Sequence, residues 1–141
     1  MDRPSPVNVC ILGHSYDHRL QKCMHRHCHD KYDNLGCDRS RIVVHCIGVG
    51  GATVLPGVKC IVDSLPDVAR IQPAIVFVNV GENDLGTVRG NVLLITSHLC
   101  HFLAQLTPHT RLVFVSQLLL FPVYNTISKT VLSVDNNLKC H

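Results

Sequence analysis

The sequence predicts an α/β fold built on a parallel sheet, and three observations carry that reading. Short β-branched runs alternate with segments whose apolar residues recur at steps of three and four. The strongest run, Pro73-Ala74-Ile75-Val76-Phe77-Val78-Asn79-Val80, is apolar almost without interruption, as a central parallel strand covered on both faces must be. Several strand-like runs end in polar, glycine-containing turns, which sets those turns where open parallel sheets bind ligands, at the strand carboxyl ends. With 141 residues, 46% of them hydrophobic and 16% charged, the chain is long enough for one core and too short for two. Residues 1–141 therefore read as a single domain.

The first strand runs from Val7 to Leu12 and stops at Gly13. Helical spacing follows, with Tyr16, Leu20, Cys23/Met24 and Cys28 forming an apolar stripe. The stretch from Asp30 to Ser40 is polar, contains Gly36 and reads as a loop. Ile42 to Ile47 is a second buried strand. Beyond it, Cys60, Ile61, Leu65, Val68 and Ile71 give one or two helical pieces, broken near Pro66. The third strand is the Pro73–Val80 run. Val88, Val92, Ile95, Leu99, Phe102/Leu103 and Leu106 then make an amphipathic helix. Leu112 to Val115 is the fourth strand, and Tyr124 to Leu138 has a weaker helical pattern. Such alternation implies parallel strands joined by right-handed crossovers. The chain shows no internal repeat, linker or low-complexity tract.

The bulk chemistry excludes several classes. Net charge is +3, and although Arg3, Arg19, Lys22, Arg26, Lys31, Arg39 and Arg41 make the first third basic, no aromatic residues interleave as a stacking surface. Nucleic acid is not an expected partner. The apolar run before Gly13 is too short for a signal peptide or a membrane helix, so no membrane is expected. Of the eight cysteines, Cys10, Cys46, Cys60 and Cys100 fall within predicted strands and helices, which points to reduced thiols and a cytoplasmic setting. Cys23, His25, His27, Cys28, His29 and Cys37 invite a zinc reading, but their spacings make no pair of paired ligands. Cys23 and Cys28 are expected to pack in the core, and no metal or other cofactor is expected.

Three turns carry the chemistry. Acyl transfer from a serine needs a nucleophile, a base for its proton and donors for the tetrahedral oxyanion. In Gly13-His14-Ser15-Tyr16, Ser15 stands where a helix begins, and its own N–H lies in the positive field of that helix N-terminus. In Val49-Gly50-Gly51-Ala52-Thr53, Gly51 lets a backbone N–H approach a substrate closely. In Val80-Gly81-Glu82-Asn83-Asp84, Asn83 offers amide donors that stay neutral at any pH. Each alone reads equally as a helix cap or a plain turn. Three in order, at consecutive strand ends, make a site.

The order G-x-S near the N-terminus, G-G-x-T after the second strand and G-x-N-D after the third resembles the SGNH (GDSL-type) hydrolases, from Val9 to about Leu138. The lead-in Ile71-Gln72-Pro73 belongs to the likeness, and Gly81-Glu82-Asn83-Asp84 is its most specific part. The resemblance implies a flavodoxin-like three-layer α/β/α sandwich, with four strands of the parallel sheet present and the usual fifth missing. It implies Ser15 as nucleophile and Ser15, Gly51 and Asn83 as oxyanion-hole donors; Asp84 and His14, beside them in the same turns, are expected to be supporting residues. Family activities are mostly those of esterases, lipases, thioesterases and carbohydrate deacetylases. A small acyl or acetylated substrate is therefore expected.

Two departures stand out. The family usually has Asp before the serine, where this chain has His14. Its general base comes from an Asp-x-x-His motif after a fifth strand, and Asp135 and His141 have the wrong spacing for it. The chain therefore reads as a domain truncated before its base, weakly active or inactive. The nearest substitutes are His14, whose side chain is expected to point away from Ser15, and His18, one turn down the helix. The competing reading is a flavodoxin-like binding or interaction module without chemistry. A sheet lacking its fifth strand would also leave the Leu112–Val115 strand as an apolar edge, with dimerisation through it as the expected outcome.

Overall fold

A computed structural model of the chain describes residues 3–26, 31–86 and 91–116. Its strands are β1 (Val7–Gly13), β2 (Ile42–Gly48), β3 (Ile75–Asn79) and β4 (Leu112–Val115). They form one parallel sheet in the order β2-β1-β3-β4. The helices are α1 (Ser15–Arg26), α2 (Leu65–Ile71), the short α3 (Glu82–Leu85) and α4 (Val92–Leu106), with 3₁₀ turns at Lys31–Asn34, Ile61–Ser64 and Thr107–His109. The expected α/β class and parallel sheet are what the chain adopts. A fifth strand and the Tyr124–Leu138 helix concern residues outside those described.

The strand order places the site. From β1 the chain moves to one side to form β2, then returns past β1 to lay down β3 on the other. The winding thus reverses between β1 and β3, where parallel sheets open a crevice at the strand carboxyl ends. The register brings the ends level, since Gly13 pairs with Gly48 of β2 and with Asn79 of β3. The turns after β1 and β3 are therefore neighbours, although the chain between them is long.

Side-chain alternation sorts the two faces. Cys10, Leu12, Val76 and Val78 are fully buried on one face, against Val68 of α2 and Leu99, Phe102 and Leu106 of α4. The spacing of the α4 residues is the three-and-four pattern of the sequence, and Asn91 caps that helix by accepting from the Leu93 and Leu94 amides. Val88, expected to begin the same helix, lies outside the described residues. Helix α1 covers the opposite face over β2, where the Cys46 thiol donates to the Asp17 carbonyl at 3.3 Å. Helices on both faces give the three-layer arrangement.

The two helical pieces expected around Pro66 are the Ile61–Ser64 turn and α2, and Pro66 sits in the first turn of α2, where its missing N–H would have had no intrahelical acceptor. Two expectations need correction. Cys23 is exposed, not core, because α1 buries Asp17 and Met24, and a residue one step before Met24 is turned about 100° away. Cys28 lies outside the described residues. The Asp30–Ser40 loop carries the Lys31–Asn34 turn, within which Asn34 is buried. The Asn34 amide donates to the Ile42 carbonyl at 2.9 Å and accepts from the Val44 amide at 2.8 Å. One sheet edge, β2, is thus partly capped by a side chain.

Candidate functional site

The site starts with two glycines. A methyl group on Gly48 would overlap the backbone of Asp17 and His18, and one on Gly13 would overlap the Asp17 carboxylate and the Asn79 carbonyl. Only hydrogen at both positions lets the first turn of α1 settle directly on the ends of β1 and β2. Helix α1 begins at Ser15, with the His14 carbonyl accepting its first bond from the His18 amide at 3.0 Å. The His14 amide in turn donates to the Asn79 carbonyl at 3.1 Å, pinning the serine turn to β3.

Asp17 strengthens that junction. It is buried, and its carboxylate accepts from the Asn79 amide at 3.1 Å, while Asn79 accepts from the Ser116 hydroxyl at 2.8 Å. Burial pushes the Asp17 carboxyl above its ordinary value, opposed by the Asn79 bond and by the nearby His14.

His14 lies against Ser15, contrary to the expectation that its side chain points away. Its Nδ1 is 3.5 Å from Ser15 Oγ, at the outer limit of a hydrogen bond, and the residue is 1% exposed. Its Nε2 faces Glu82 Oε2 at 3.4 Å. That contact lies outside hydrogen-bond geometry, and Nε2 finds no hydrogen-bond partner among the described residues. His18 is directed elsewhere, with its Nδ1 bonded to the Gly48 carbonyl at 3.1 Å.

The other two turns meet beside this group. Asn83 donates one amide hydrogen to the Ala52 carbonyl at 2.9 Å, joining α3 to the turn after β2. Gly51, with φ +77°, is in the left-handed region that favours glycine. The exposed Lys59 side chain crosses over it, its Nζ 3.5 Å from where a Cβ would stand. Asp84 is fully buried and accepts from the Val54 amide at 2.8 Å and the Leu55 amide at 2.9 Å, one per oxygen. Burial raises its carboxyl above the ordinary value despite those bonds.

The structure therefore brings Ser15 and His14 into contact and ties Asn83 and Asp84 to the loop that follows Gly51. Glu82 and Asp17 join them without having been singled out from the sequence. The sequence carried no direct signal for Glu82, because its meeting with His14 depends on β1 and β3 being neighbours in the sheet. Asp135, His141, His27 and His29 lie outside the described residues. Among the described residues no group of three or more His, Cys, Asp or Glu side chains is arranged to hold a metal, and no helix is long and apolar enough to cross a membrane. The thiol of Cys10 is pushed up to about 12 by burial and that of Cys46 to about 11, so neither is a thiolate nucleophile near neutrality.

No family model matches the chain, and no curated protein matches it by sequence. Solved structures do share its fold. A GDSL-like lipase from Bacteroides thetaiotaomicron superposes with a TM-score of 0.60 at 17% identity, covering 97% of this chain and 65% of that one. The acetylxylan esterase Axe2 from Geobacillus stearothermophilus gives 0.55 at 14% identity, over 96% of this chain and 73% of that one. The acetyl xylan esterase AlAXEase gives 0.62 at 12% identity, over 95% and 75%. The chain thus spans about 65% of the lipase's length, and what the likeness shows is the fold.

Proposed function

We propose that this chain is an SGNH-type serine hydrolase domain acting on small esters or acetyl esters. Ser15 is the nucleophile, and the Ser15 and Gly51 amides with the Asn83 side chain form the oxyanion hole. The observation that carries the reading is the convergence of the three turns at the winding reversal between β1 and β3, with Asn83 bonded to Ala52 at 2.9 Å. The fold's presence in a GDSL-like lipase and in acetylxylan esterases supports the same chemistry and the acetyl-ester substrate class. Asn83 spends one amide hydrogen on Ala52 and keeps the other for an oxyanion. Asp84 holds the Val54–Leu55 backbone, which fixes the loop bearing Gly51. Donors held in place before the reaction, as at a helix N-terminus, stabilise the charge that develops on the oxyanion.

The test is labelling with a fluorophosphonate, in which the serine oxygen bonds to phosphorus and fluoride leaves. Wild-type protein is expected to label and Ser15→Ala is not. Folded wild-type protein that stays unlabelled would overturn the reading and leave a binding module in its place.

A further inference from the structure

The general base of this site lies beside its nucleophile. We propose that His14 is the base for Ser15, its Nδ1 taking the Oγ proton while Glu82 holds the imidazole as the tautomer protonated on Nε2. The inference rests on the hydrolase reading above and adds to it the residue that makes the serine reactive.

Three observations carry it. The His14 ring has Ser15 Oγ at one nitrogen and the Glu82 carboxylate at the other, at 3.5 Å and 3.4 Å. That is the order of a nucleophile, a base and an orienting carboxylate, with the two ring nitrogens exchanging their customary roles. Next, the imidazole is 1% exposed, and its Nε2 has no hydrogen-bond partner among the described residues. A buried polar atom left this way costs stability, and such costs gather at functional sites. Last, the competing histidine is committed, because His18 Nδ1 is bonded to the Gly48 carbonyl. Catalytic bonds are often long in an empty site and tighten when substrate is bound.

The proton and electron movements balance. As Ser15 Oγ bonds to the ester carbonyl carbon, its proton passes to His14 Nδ1 and the carbonyl π pair moves onto oxygen, held by the Gly51 and Asn83 donors. The pair then returns, the bond to the leaving alkoxy group breaks, and His14 Nδ1 gives its proton to that oxygen. Water repeats the sequence on the acyl-serine: His14 takes its proton, and Ser15 leaves with the proton restored. Glu82 faces the positive charge that appears on the ring in each half and is a positioning residue. The charged and titratable groups around the ring are Glu82 from α3, Asp17 from α1 and Tyr16, whose ring meets His14 edge-on at 5.3 Å and carries Arg19 above it.

The experiment compares fluorophosphonate labelling rates of wild type, His14→Gln, His14→Ala and Glu82→Gln across pH, with thermal melting of each. His14→Gln keeps a polar side chain of similar reach, so it stands in if His14→Ala fails to fold. We expect His14→Gln to melt cooperatively and to label about a hundredfold more slowly or worse, the usual worth of a general base. Added imidazole is expected to restore rate to His14→Ala, which a purely structural histidine would not allow. Glu82→Gln is expected to slow labelling less than His14→Gln does, because Glu82 acts only through the ring it faces. The double variant is expected to be little worse than His14→Gln, as for residues that act as a unit. Wild type and His14→Gln labelling at one rate would overturn the base and leave the hydrolase reading standing. A wild type that never labels would overturn both.

Discussion

Two buried polar clusters sit on the same short helix and are built to opposite standards. Asp84 at one end of α3 is fully buried and has each oxygen matched by a backbone amide, at 2.8 and 2.9 Å. Glu82, two residues earlier, faces a buried imidazole across 3.4 Å, and that imidazole faces a serine hydroxyl across 3.5 Å. The first arrangement is closed: it has donors enough for the charge it buries and nothing left to offer a ligand. The second is looser: one imidazole nitrogen, Nε2, has no hydrogen-bond partner among the described residues, and the other, Nδ1, meets the serine hydroxyl only at the outer limit of a bond. A saturated network spends its interactions on rigidity, whereas a loose one keeps them for a reacting group.

The largest way to break this comparison is Asp84→Ala. It strands the Val54 and Leu55 amides, both on nearly buried residues, and is expected to cost about 2–6 kcal/mol at 1–3 per stranded donor. His14→Gln, measured by the same denaturant unfolding, is expected to cost less, because the imidazole leaves no well-made bond behind. Equal losses would mean that both clusters are structural.

A finer test uses pH. Burial raises the Asp17 carboxyl above its ordinary value of 3.8, so just above that pH the folded chain holds a proton that the unfolded chain has lost. Stability from this group is therefore present below the ordinary aspartate value and falls as pH rises through the raised one. Asp84 shifts in the same direction for the same reason. Wild type and Asp17→Asn are to be melted in parallel from acid to neutral pH. The wild type's relative stability should decline with rising pH, and a wild type that gains on the variant across that window would contradict the assignment.

The smallest effect concerns β4, the far edge of the sheet among the described residues. Leu112, Phe114 and Val115 of β4 are 54%, 50% and 38% exposed, and Phe114 stacks on the half-exposed Phe77 at 5.2 Å. We propose weak self-association along this edge, in contrast to the β2 edge, whose Ile42 and Val44 backbone groups Asn34 occupies. Light scattering at high concentration should show dimers that Phe114→Lys diminishes, and a strictly monomeric wild type would dismiss the idea.

Much of this was legible in the sequence because it depends on local pattern. Strand and helix order follow from apolar periodicity, and the candidate turns follow from glycine and polar residues at strand ends. Val76 and Val78 are buried as the apolar run predicts, but the expectation of cover on both faces is not met among the described residues, where Phe77 between them is half exposed. The direction of His14 was not legible. Adjacency to Ser15 says nothing about rotamer, and the ring packs among groups that include Glu82, far along the chain. Nor was the exposure of Cys23, which one step around a helix decides.

The sequence by itself determined the parallel α/β class, the four strands among the described residues, and the three turns that carry Ser15, Gly51 and Asn83. The tertiary structure alone decided which of their neighbours meet. Laying β3 beside β1, with Gly13 and Gly48 admitting the first turn of α1, brings Glu82 up to the ring of His14 and that ring up to Ser15. Periodicity records which side of an element is apolar. It does not record which strand lies next to which, and that is the quantity on which a contact between distant side chains depends.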